Sequence, residues 1–64
     1  MLRLININNK VIPEVKVFLN KKFIGYASMY EFGYIGGSEE VMDLPQHYLN
    51  KIQLRLSKIW VVRH

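Results

Sequence analysis

The chain has no cysteine and no threonine, and only two histidines, two prolines and five carboxylates in 64 residues. Without cysteine there is neither a disulfide framework nor a thiolate metal site to staple so short a chain. A hydroxyl nucleophile would have to be Ser28, Ser38 or Ser57, and none stands in a Gly-x-Ser-x-Gly elbow. Gly33, Gly36 and Gly37 are not followed by Gly-Lys-Ser/Thr and form no Gly-x-Gly-x-x-Gly. Glu39 and Glu40 are adjacent, so their side chains diverge instead of converging on one substrate. His47 has Lys51, not a ligand, at the helical spacing of four, and Asp43 is better used as a cap than as a metal partner of His47. These absences predict a protein that is not an enzyme, with no cofactor, metal or small-molecule substrate.

Long apolar runs are also missing. No stretch approaches the roughly 20 residues needed to span a bilayer. Met1 to Asn6 offers one cation and an apolar segment too short for a signal peptide. The expectation is a cytoplasmic protein without membrane contact.

Apolar and aromatic side chains, by contrast, are plentiful. Half the residues are hydrophobic, with four Tyr, three Phe and one Trp. A chain this size buries only about 60% of its unfolded surface, so either the core is unusually well filled or the surplus is buried against a second chain, and a homodimer or a bound partner is the favoured expectation. Charge is unevenly laid out within a net +4. Residues 1–30 carry five Lys/Arg against Glu14, and residues 31–43 carry Glu31, Glu39, Glu40 and Asp43 with no cation. Residues 44–64 carry Lys51, Arg55, Lys58 and Arg63 with no carboxylate. Such a basic body is drawn to polyanions or acidic protein surfaces.

The segment 44–61 predicts a helix. At about 100° per residue, Tyr48, Leu49, Ile52, Leu56, Ile59 and Trp60 fall within an arc of about 120°. Asp43 stands where a cap is wanted, Pro45 at the first helical position and Gln46 three residues after Asp43. A strand reading rests on Ile52, Leu54 and Leu56 alternating with polar residues, but four apolar residues in a row follow Ser57-Lys58. Leu54 and Val61 fall on the polar side beside His47, Lys51, Arg55 and Lys58.

Earlier residues read as strands. Leu2 to Ile7 is aliphatic and ends at Asn8-Asn9-Lys10. Pro13 marks an edge or bend. Val15, Val17 and Leu19 face one way, and Glu14, Lys16 and Phe18 the other. Asn20-Lys21-Lys22 is a hairpin connection lacking the favoured glycine. Phe23 to Ser28 returns, with Gly25 allowing a bulge, and Met29 to Ile35 continues with Tyr30, Phe32 and Tyr34 on one face. The prediction is a single α+β domain: three or four antiparallel strands over about 2–35, an acidic connection over 36–43, and a C-terminal helix packed on a sheet face.

Val15-x-Val17-x-Leu19-Asn20-x-x-x-Ile24-Gly25, with Leu44-Pro45 later, resembles the strand–turn–strand pattern of PEGA-type surface modules. That resemblance covers about half the chain and implies a β-sandwich. Lys21 stands where the pattern has a turn glycine, and a final helix is foreign to it.

Two binding surfaces compete. The first is the helix edge of His47, Lys51, Leu54, Arg55, Lys58 and Val61, docking on an acidic, partly apolar protein surface or on segment 39–43 of a second copy. It ranks ahead because it uses the surplus apolar residues, the misplaced Leu54 and Val61, and the split of charge together. The alternative is a sheet on which Tyr26, Tyr30, Phe32 and Tyr34 stack on single-stranded nucleic acid while Arg3, Lys16, Lys21 and Lys22 meet phosphates. Against it, the same aromatics serve equally as core beneath the helix, and Glu31 and the acidic segment repel phosphate.

Overall fold

A computed structural model describes residues 1–63, the side chains of Phe32 and Arg63 excepted. The elements run β1 (Leu2–Ile7), β2 (Glu14–Leu19), β3 (Lys22–Met29), a 3-10 turn (Glu31–Gly33), β4 (Ile35–Gly37), α1 (Glu39–Met42) and α2 (Gln46–Arg63). The strands lie in chain order in one antiparallel sheet. This is the α+β architecture expected from the sequence, strands first and the long helix last. The hairpin that resembles PEGA-type modules forms, but residues 46–63 are helical, so the β-sandwich implied by that resemblance is not this fold.

Local chemistry explains the connections. Between β1 and β2, the Asn9 Oδ1 accepts from the amides of Val11 (2.8 Å) and Ile12 (3.1 Å), turning the chain toward a buried Pro13. β2 and β3 are joined by Asn20 and Lys21, both at positive φ (52° and 69°). Two left-handed residues make the type I′ turn whose twist matches the strands it joins.

The pairing of β2 with β3 shifts register between Val17 and Phe18. Val17 pairs with Gly25 and Phe18 with Phe23, so Ile24 is the extra residue of a bulge. The shift places Phe23 and Tyr26, three apart in sequence, on the same side of the sheet. Gly25 sits at the bulge with φ 148°, and a β-carbon there would lie 2.4 Å from Ser38 Oγ. Ser38 in turn accepts from the Tyr26 amide at 3.0 Å, which docks the start of α1 on β3.

One face of the sheet makes the core. Val15, Val17, Ala27 and Met29 are buried against Val41 of α1 and Ile52 and Leu56 of α2. Leu49, Ile59 and Trp60 pack around them, so the apolar arc read from the wheel is the one the helix turns inward. Burying each of Ile52 and Leu56 stabilises by about 1.5–3 kcal/mol. Leu54 and Val61 stay out, at 58% and 73% exposure.

Three expectations need correction. Residues 29–35 are not one strand: β3 ends at Met29, Gly33 turns the chain at φ 79°, and the Tyr30 amide donates to the Tyr34 carbonyl (2.7 Å). Tyr30 and Tyr34 therefore flank a turn and do not share a strand face, and the Phe32 side chain lies outside the described residues. The stretch 36–43 is more than a connection, since it finishes β4 and forms α1. Asp43 closes α1 as its C-terminal cap and does not open α2. Leu44, preceding a proline, is disfavoured in helical geometry. Pro45 stands one residue before the helix, and its carbonyl accepts from the amides of Tyr48 and Leu49.

Candidate functional site

Both helices pack on the same face of the sheet, so no helix covers the other, which is exposed at Arg3, Lys16, Phe23 and Tyr26 and closed at Ser28. Cross-strand pairing arranges that face in three rows: Arg3, Phe18 and Phe23; Ile5, Lys16 and Tyr26; Ile7, Glu14 and Ser28. Successive rows are about 7 Å apart, two residues along a strand. Phe18 and Phe23 have ring centroids 5.4 Å apart, and Phe23 and Tyr26 5.2 Å, tilted by 58° and 75°. The Tyr30 ring rests over Gly36, where a β-carbon would be 2.9 Å from its Cε2. Because Gly36 pairs with Ser28, this ring closes the third row at β4. Phe23, Tyr26 and Tyr30 are 44%, 43% and 49% exposed. The rings form a diagonal band across three strands, held by one another and by the backbone beneath.

The charges around the band divide between cations on β1 and β2 and Glu31, exposed next to Tyr30 in the 3-10 turn. Arg3 and Lys16 are exposed on this face, in rows with Phe18 and Tyr26. Its carboxylate, Glu14, is half-buried and already accepts from Ser28 Oγ (2.8 Å) and Asn9 Nδ2 (3.4 Å). A cavity of about 580 Å³ bordered by Arg3, Phe18, Asn20 and Lys21 extends the face at its turn end. Of the residues expected on a nucleic-acid surface, Arg3, Lys16, Lys21, Tyr26 and Tyr30 come together here. Lys22 pairs with Leu19 and so belongs to the helix-covered side, and Tyr34 lies exposed beyond the turn. Phe18 and Phe23 join Tyr26 in the band, although the sequence pattern does not mark them as site residues. Strict alternation puts Phe23 with Gly25 and Ala27, and Gly25 was the one sign that the alternation breaks.

A second surface lies where α2 passes β1. Lys51, Leu54, Arg55 and Lys58 line a groove of about 240 Å³ with Leu2 and Leu4. A neighbouring hollow continues it past Asn6, Ile59 and Val62. Arg55 is held across the groove, donating through Nη1 to the Leu4 carbonyl and Asn6 Oδ1, both at 3.2 Å. His47 stands at the other end of α2 with its ring 4.1 Å from that of Tyr48, and Val61 is exposed near the helix end. Four of the six expected helix-edge residues thus meet in one place. The acidic α1 packs on β3 and β4, so it and the basic groove border opposite edges of the sheet.

Among the described residues no three His, Asp or Glu side chains converge to hold a metal ion. No described helix is long and apolar enough to cross a membrane. In comparisons with known proteins, no family model, curated protein or solved structure matches this chain.

Proposed function

We propose that the protein is a non-catalytic binding module that holds single-stranded nucleic acid on the open face of its sheet. The observation carrying this reading is the band of Phe18, Phe23 and Tyr26, with Tyr30 beyond it, lying beside Arg3 and Lys16 on an uncovered face. Exposed rings offer π-faces that any base can stack on, and flanking cations meet the backbone that joins the bases. Sheet-on-sheet pairing with a second copy suits this face less well, because it would bring two net-basic faces together. The helix edge ranks second, since His47 and Val61 stand apart from the groove where Lys51, Leu54, Arg55 and Lys58 meet. A cytoplasmic setting goes with this reading.

Fluorescence anisotropy with a short labelled oligothymidine tests it. Affinity should fall steeply between about 50 and about 200 mM salt, with a logarithmic slope of about −0.7 for each phosphate neutralised. Phe23→Ala and Tyr26→Ala should each cost about 1–3 kcal/mol of binding. Absence of binding at low salt, or ring variants that bind as well as the parent, would discard the reading.

A further inference from the structure

We infer that the groove between β1 and α2 is a docking site for an extended acidic segment of another protein, one that alternates carboxylates with apolar side chains. The inference does not rest on the nucleic-acid reading. It uses a different surface, at the sheet edge beneath the long helix.

β1 is the outermost strand and pairs only with β2. The Leu4 carbonyl faces away from β2, toward Arg55. Antiparallel pairing alternates, so the main-chain groups of Leu2 and Asn6 share that free edge. An incoming extended chain meets there a row of donors and acceptors, the geometry of strand addition. Beside the row, Leu2, Leu4 and Leu54 supply an apolar floor for every second side chain, while Lys51, Arg55 and Lys58 rim it. No carboxylate lines the groove among the described residues, and this uncompensated charge is what selects an acidic occupant.

Arg55 has two uses in this scheme. In the free protein its guanidinium covers the Leu4 carbonyl and so guards an edge that would otherwise recruit strands indiscriminately. When an acidic segment arrives, a peptide N–H replaces the guanidinium on that carbonyl, and Arg55 turns to a carboxylate of the newcomer. A basic or neutral strand brings the guanidinium no carboxylate, only weaker neutral acceptors, and so opens the guard less readily.

The probe is a labelled peptide alternating Leu and Glu, compared with its Leu and Lys counterpart, against the full chain. The acidic peptide should bind and shift the amide resonances of Leu2, Leu4 and Asn6. Leu54→Asp and Lys58→Glu, both at exposed positions, should each weaken binding by roughly tenfold or more. Phe23→Ala should leave peptide binding unchanged, which separates failure here from failure of the nucleic-acid reading. Equal binding of the Leu and Lys peptide would overturn the proposal, as would competition by oligothymidine. So would self-association that Leu54→Asp abolishes without peptide, because the occupant would then be a second copy.

Discussion

Lys21 holds φ at 69° with a full side chain, where a left-handed conformation costs about 1 kcal/mol relative to glycine. Lys21→Gly should therefore raise the unfolding free energy by about 1 kcal/mol, read as a higher denaturant midpoint at unchanged slope. Gly25 is the opposite case. Alanine there would set a carbon 2.4 Å from Ser38 Oγ and 3.1 Å from Val41 Cγ2, at a backbone angle few side chains adopt. Gly25→Ala should cost about 3 kcal/mol by the same measurement. A neutral result would mean that α1 moves off the sheet at little cost. Both positions show what single residues conceal in a sequence. The hairpin between Leu19 and Lys22 was legible from Asn20 alone, but the missing glycine hid its turn type. At Tyr30-Glu31-Phe32-Gly33-Tyr34 the letters alternate as a strand should. Gly33 at φ 79° decides otherwise, because a left-handed residue reverses the chain whatever its neighbours prefer.

The long helix was the most legible element, because a 3.6-residue period sustained from Tyr48 to Trp60 has few rival explanations. Its energetics should follow the same arc. Ile52→Ala and Leu56→Ala should each cost about 2–5 kcal/mol, as large-to-small changes in a closed core do. Val61→Ser on the exposed side should stay within about 0.5 kcal/mol. Equal effects at buried and exposed positions would mean the helix is not seated as described. The four residues of α1 gave no periodicity to read. Ser38-Glu39-Glu40 did carry a signal, a polar residue followed by carboxylates where a helix N-terminus favours negative charge. The cluster of acids drew attention to a loop and away from that placement. β4 is three residues long, two of them glycine, and is defined by its pairing with Ala27, Ser28 and Met29 and not by its own preferences.

At the scale of the whole molecule, two layers enclose one core, and no helix covers the sheet's second face, where among the described residues Ser28 alone is buried. Which aromatics are core and which are surface could not be settled from composition, because it depends on which face the helices cover. Once Val15 and Val17 turn to the helix, Lys16 and Phe18 must turn away. The candidate site is thus half legible in the sequence: the tyrosines at 26 and 30 and the cations at 3 and 16 can be read from it, and the facing of Phe23 cannot, because the bulge at Ile24 sets it. If the open face takes nucleic acid, oligothymidine should perturb the amides of β2 and β3 while those of Lys51 to Lys58 stay still. The acidic α1 and the basic groove also sit at opposite edges. Any self-association through them would therefore run head to tail, growing with concentration and dissolving with salt.

The supernumerary residue at position 24 sets the strand's reading frame. Deleting Ile24 would leave Phe23 directly beside Gly25, and the wet and dry sides of β3 would stay in phase at the loss of one aliphatic side chain. Deleting Ala27 instead would swing Ser28 away from Glu14 onto the helix-covered face and Met29 off it, an inversion no neighbouring side chain could absorb. A protein that tolerates the first excision and not the second is counting its residues in space, not along the chain.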